Sequence, residues 1–210
     1  MAKLECPIAP NGWEIMPQFQ TGDVVHVQSI GLISRLIRWF SESDDEREKT
    51  WASHSALVLK HIAEPIIIEA LATVKVRPIR AYQGKKSRLI VTRKPGGLTE
   101  EEQRKAFQKA EEYKGREYGY LKIVAHVLDR LFNNAYVFRR LAQMDDYPIC
   151  SWLVAFVYDR TVGLQFGVPP NAAQPDDIMD FCVANNWEFV WCDSQESLQD
   201  FCDTYNRRAK

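Results

Sequence analysis

Two hydrophobic rhythms run through the chain: short β-branched runs with the period of strands, and wider-spaced apolar positions with the period of helices. Behind the turn signal Gly22-Asp23, Val24-Val25-His26-Val27 predicts a first strand. Trp51-Ala52-Ser53-His54-Ser55-Ala56-Leu57-Val58-Leu59 is a small-residue turn running into a second, with His54 at its start. Ile66-Ile67-Ile68-Glu69-Ala70-Leu71 follows after a short turn at Glu64-Pro65, so these two runs predict an antiparallel hairpin. Val74-Lys75-Val76-Arg77 and Arg88-Leu89-Ile90-Val91-Thr92 predict two more strands, and Trp187-Glu188-Phe189-Val190-Trp191 a last one.

Helical spacing appears elsewhere. Ile33, Leu36, Ile37 and Phe40 form a stripe over residues 30 to 40 with Arg35 and Arg38 off it, and the charged run 41 to 49 reads as an exposed loop. Packing on the sheet is the simplest use of that stripe; contact of its arginines with an acidic or lipid surface is the alternative. Thr99-Glu100-Glu101-Glu102 is a capping box ahead of Ala106, Phe107, Ala110 and Tyr113, with Gly115 as a stop. Residues 118 to 143 carry Leu121, Val124, Leu128, Leu131 and Phe132 and predict one or two covering helices. Residues 146 to 160 predict a helix that is apolar on nearly every side, with Pro148 suited to its first turn, Asp146 able to cap it and Gly163 able to end it. Pro169-Pro170 marks a loop, and Pro175-Asp176-Asp177 opens a short helix through Cys182.

The organisation expected is an α+β chain: a proline-rich arm over 1–20, a single domain over 21–193 that includes a helical covering segment 99–143, and a polar tail over 194–210 anchored by Leu198 and Phe201. The length of 210 residues, with 46% hydrophobic and 26% charged, suits one globular core. A formal net charge of -1 removes any general electrostatic reason to expect a nucleic-acid partner. Five cysteines, odd in number and without CxxC spacing, suggest neither a disulfide framework nor a zinc knuckle, so reduced thiols in a cytoplasmic setting are expected. No run is long enough to predict a membrane span, which leaves only peripheral membrane contact open. No cofactor is called for.

Chemistry gathers on three residues. Cys150 falls in the first turn of its helix, where free amides and the helix dipole favour thiolate over thiol. A thiolate nucleophile needs a base and an orienting group; His54 and Glu69 lie on adjacent arms of the predicted hairpin, where they can stand side by side. A carboxylate inside an apolar strand is costly without a partner, and that pairing supplies one. Singly, each residue has a plain structural reading. A metal site from His26, His54, His61 and Glu69 is a weaker reading, because no HxxxH or CxxC spacing supports it.

The order Gly22-Asp23, Ser53-His54-Ser55-Ala56-Leu57-Val58, Ile68-Glu69-Ala70, Cys150-Ser151-Trp152-Leu153-Val154 and Pro175-Asp176-Asp177-Ile178 resembles the permuted papain-like enzymes of the NlpC/P60 superfamily, the YiiX-like branch in particular. The resemblance spans roughly residues 21 to 180. It implies a small antiparallel sheet or open barrel with the cysteine helix packed on it, and a histidine strand that precedes the cysteine. It implies Cys150 as nucleophile, His54 as general base and acid, and Glu69 as orienter. The expected activity is a thiol hydrolase acting on a cell-wall-type peptide or an acylated or lipid amide; the alternatives are a noncatalytic binding module and a lipid-directed acyltransferase. Where the family often carries a glutamate two positions after the cysteine this chain has Trp152, and where it often has an aromatic just before it this chain has Ile149. Tyr147, Trp152, Ser53 and Tyr118 are the candidate substrate contacts.

Overall fold

Among the described residues six strands form one antiparallel sheet, and its alternating side chains decide what packs on each face. The computed structural model describes residues 6–29, 51–61, 64–71, 73–117 and 150–208. In chain order the strands are β1 (Val24–Ser29), β2 (His54–His61), β3 (Pro65–Ala70), β4 (Val74–Pro78), β5 (Ser87–Arg93) and β6 (Glu188–Cys192). The helices are α1 (Glu100–Glu111), α2 (Cys150–Val162), α3 (Pro175–Ala184) and α4 (Gln195–Arg208). Across the sheet the order is β4-β3-β2-β1-β5-β6. The sequence-predicted strands all form, and β2 and β3 make the expected hairpin, with Leu57 opposite Ile68 and Val58 opposite Ile67. The helix over 30–40, the loop over 41–49, the covering helices over 118–143 and the Asp146 and Pro148 start of the cysteine helix lie outside the described residues.

One face of the sheet carries Val24, Leu57, Leu59, Ile68 and Ala70, and these pack against α2 through Trp152, Leu153 and Val157 and against α1 through Ala106 and Ala110. The opposite parity, Val25, Val27, Ala56, Val58, Ile67, Leu89 and Val91, forms a second core with Phe19, Ile79, Tyr82 and Trp191. A one-residue slip in any central strand would exchange these two sets, so burial of both faces fixes the register. The α2 helix is buried on nearly every side, as its composition requires, and ends at Gly163 in the left-handed region (φ 66°). Gly22 is needed for a related reason. Its φ is 96°, an added Cβ would sit 2.4 Å from Leu98 Cδ1, and its carbonyl accepts the buried Tyr158 hydroxyl at 2.5 Å.

Helix α1 starts with the predicted capping box: Thr99 Oγ1 accepts from Glu102 N–H, and the Glu102 carboxylate accepts from Thr99 N–H. The polar tail is a helix. Leu198, Phe201, Cys202 and Tyr205 of α4, spaced at helical intervals, are buried against Trp51, Ile90, Met179 and Cys192. The amino-terminal arm is partly built into the sheet edge. Asn11 bridges Cys192, with Gly12 N–H donating to Cys192 O (3.1 Å) and Cys192 N–H donating to Pro10 O (3.0 Å). The expectation of reduced thiols is corrected at two positions: Cys6 of the arm and Cys202 of α4 form a disulfide, while Cys150, Cys182 and Cys192 are free. Spacing could not reveal this bond, because its partners are 196 positions apart and meet only once α4 folds onto the arm.

Candidate active site

The first residues of β2 and α2 meet, and this junction sets the Cys150 thiol in electrostatic contact with His54, whose imidazole is hydrogen-bonded to Glu69. His54 opens β2 with the parity of Ala56 and Val58; Glu69 lies on β3 with the parity of Ile67. Their side chains therefore emerge from the same face of the hairpin, and His54 Nε2 contacts Glu69 Oε2 at 2.7 Å. With Nε2 committed to the carboxylate, Nδ1 is the nitrogen left to face the Cys150 thiol, which interacts with the imidazole. The backbone N–H groups of Ser55 and Ser151 lie near the sulfur and favour its anionic form. The second of these is a first-turn amide of α2, the expected donor at a helix N-terminus.

Glu69 is wholly buried, and two further donors satisfy it. Tyr82 donates its hydroxyl to Oε2 at 2.5 Å, and Arg77 donates Nε–H to Oε1. The guanidinium lies 4.6 Å from the centre of the Tyr82 ring, so the two clamp residues also hold each other. Both were missed by sequence reasoning. The signal available was the carboxylate itself, which demands cations or donors; the cross-strand register that places Arg77 opposite Ile67, beside Glu69 on the same face, is a tertiary fact.

These contacts set the charges. Burial pushes the Cys150 thiol up, but the His54 charge, its hydrogen bond and the Ser55 and Ser151 amides outweigh it, and the thiol titrates below its ordinary value. Burial opposes charge on His54 as well, yet the Cys150 sulfur and the Glu69 carboxylate raise the imidazole from 6.5 to about 10. Burial would raise Glu69; the hydrogen bond and charge of His54, the Tyr82 hydroxyl and Arg77 bring it down from 4.5 to about 2. The arrangement favours a thiolate and an imidazolium backed by a carboxylate, and the thiol and imidazole titrate as a pair. The other two free thiols behave in the opposite way. Burial lifts Cys192 to about 11 and Cys182 further still.

The expected substrate contacts fare differently. Ser53 is fully buried: its hydroxyl donates to Val27 O (3.2 Å) and accepts from Ser29 N–H (3.0 Å), which fixes the approach to β2 and leaves no group to face a ligand. Trp152 is buried in the core, stacked on Phe156 with ring centres 4.6 Å apart and donating Nε1–H to Asn171 Oδ1 at 2.7 Å. Two positions after Cys150, its side chain enters the helix–sheet interface, a place that suits a large apolar residue. Tyr147 and Tyr118 lie outside the described residues. His26 is a core residue whose Nε2 pairs with Thr92 Oγ1 at 2.8 Å, and burial alone drops its pKa from 6.5 to about 3. Among the described residues no group of three or more His, Cys, Asp or Glu is placed to hold a metal.

Residues 18–189 match the family described as permuted papain-like amidase enzymes, YaeF/YiiX, C92. A relative named uncharacterized protein YiiX, from Escherichia coli (strain K12), is 27% identical over 152 residues, covering 71% of this chain and 62% of that protein. The chain thus spans under two thirds of that relative's length. A crystal structure titled as metalloprotein yiiX from Escherichia coli O157:H7 superposes with a TM-score of 0.52 at 27% identity, over 71% of this chain and 69% of the other. The donor set here does not fit a metal: both Glu69 oxygens are occupied, and the Arg77 guanidinium beside them repels a cation.

Proposed function

As the chain belongs to the permuted papain-like amidase family, and so among the cysteine hydrolases, we propose that Cys150, His54 and Glu69 cleave an amide or ester bond through an acyl-cysteine intermediate. The observation that carries this reading is the His54 imidazole, hydrogen-bonded to the Glu69 carboxylate at 2.7 Å and in electrostatic contact with the Cys150 sulfur. A ligand-binding cleft has no need of a buried carboxylate held ionised behind an imidazole, so the arrangement favours catalysis over a binding module.

In the proposed reaction the Cys150 thiolate attacks the carbonyl carbon, and the carbonyl π electrons move to oxygen. The Cys150 amide at the mouth of α2 serves as a donor to that oxyanion. Collapse expels the amine or alcohol, which takes its proton from the His54 imidazolium, and leaves a thioester on Cys150. Neutral His54 then removes a proton from water, whose oxygen attacks the thioester; the carboxylic acid departs and the thiolate–imidazolium pair is restored. Glu69 keeps the ring oriented and stabilises its cationic form in both halves, as the third member of such triads does. The family description supports an amide as the substrate class; the proposed substrate is a cell-wall-type peptide or an acylated or lipid amide. An alcohol in place of water would make the same thioester an acyl donor.

The test is to offer a short-chain p-nitrophenyl ester and the matching N-acyl p-nitroanilide to the parent and to Cys150→Ala, trapping the intermediate by acid quench and peptide mass mapping. Acyl mass on Cys150 and loss of turnover in Cys150→Ala support the reading. Turnover that survives the substitution, or acyl groups found only elsewhere, ends it.

A further inference from the structure

The C-terminal helix lies beyond the family match, which ends at residue 189, yet it reaches the segment that delivers His54. Trp51, three residues before His54, is fully buried and held at two points. Its backbone N–H donates to Asp176 Oδ1 of α3 (3.2 Å), and its indole Nε1–H donates to Asp200 Oδ2 of α4 (3.0 Å). Asp200 is itself fixed: the same oxygen accepts from Gln28 Nε2 (3.1 Å) and pairs with Arg88 Nη1 (3.0 Å). The next residue, Phe201, sets its ring at 88° to that of Trp51 with centres 5.8 Å apart. Beyond Trp51 the chain passes through buried Ala52 to Ser53, whose N–H donates to Val27 O at 2.9 Å, and so into His54.

Ring contact alone would anchor α4. The hydrogen bond adds direction: it sets the rotation of the indole, and with it the path of the backbone entering β2, which apolar packing leaves free to slide. The Cys6–Cys202 disulfide holds the same turn of α4 against the arm. We propose that Asp200 is a positioning residue for His54, acting through Trp51, so that the C-terminal helix is part of the working site. The inference rests on the Cys150, His54 and Glu69 reading above.

The experiment follows iodoacetamide labelling of Cys150 across pH, by peptide mass mapping of the full chain, with denaturant midpoints recorded on the same samples. Asp200→Ala removes the acceptor; Asp200→Asn keeps an oxygen for the indole; Trp51→Phe keeps the ring contact and removes the N–H. Because small misplacements of a catalytic group can cost up to about a hundredfold, Asp200→Ala and Trp51→Phe are expected to slow labelling near pH 6 by about tenfold, with most of the rate recovered in Asp200→Asn. If both lower the midpoint and leave the labelling profile at the parent's, α4 only stabilises the fold and the inference is overturned. His54→Ala, run alongside, separates the two levels. A large effect there with none from Asp200→Ala sinks this inference alone, whereas no effect there removes the triad reading and the inference together.

Discussion

Glu69→Gln asks the sharpest question of this site, because it changes one atom type in a side chain that contacts His54, Arg77 and Tyr82. A shift from 4.5 to about 2 corresponds to roughly 3 kcal/mol in favour of the ionised carboxylate. The glutamine retains one oxygen acceptor and loses the charge, leaving the Arg77 guanidinium, whose side chain is only 22% exposed, without its counterion. Breaking a buried pair in this way costs about 3 to 5 kcal/mol, softened here by the partial exposure of Arg77. A loss of about 3 kcal/mol in unfolding free energy at pH 7 is therefore expected. The gap between parent and variant should narrow in acid. The folded value of Glu69 lies below its ordinary one, so its contribution is complete above pH 4.5 and is lost as pH falls from there towards 2. The catalytic consequence is separate. With one of the two anions facing His54 removed, the imidazolium weakens, the thiolate loses its partner, and the pH midpoint of Cys150 labelling should rise by about one unit. Urea titrations at pH 7 and pH 4 and the labelling profile read the two effects independently. If stability falls as expected while the labelling midpoint stays with the parent's, Glu69 serves as the counterion of Arg77 and the orienting role assigned to it is wrong.

His26→Leu should flatten the acid limb of the stability curve. The folded pKa of about 3 lies below 6.5, so His26 contributes stability that is present above pH 6.5 and lost as pH falls towards 3, at about 1.4 kcal/mol per pH unit; urea midpoints at pH 6.5, 5.5 and 4.5 that fall equally in parent and variant would show that the ring protonates in place. Cys6→Ser opens a covalent loop between positions 196 apart, for which chain entropy sets a ceiling of about 5 kcal/mol. The denaturant midpoint should drop in the variant and become insensitive to dithiothreitol, and a parent midpoint equally insensitive would show the disulfide to be unformed in solution.

The local rules in the sequence did settle local things. Gly163 ends α2, Thr99 and Glu102 cap α1, and a short turn at Glu64-Pro65 makes β2 and β3 neighbours, so that His54 and Glu69 could be paired from spacing alone. The first-turn place of Cys150 was equally legible, because helix periodicity and a dense apolar run are written in consecutive residues. The helix at the C-terminus was legible in principle: Leu198, Phe201, Cys202 and Tyr205 follow helical spacing, but the polar residues between them disguised it as a tail. Three features were decided only in three dimensions. Arg77 and Tyr82 close on Glu69, Trp152 turns into the core while Cys150, two positions before it, meets His54, and α4 returns across the whole chain to hold Trp51 and pair Cys202 with Cys6. The difference is one of range. Propensity, capping and periodicity act within a turn or two of chain, whereas strand register and the choice of helix face are set by which residues, far apart in sequence, exclude water together.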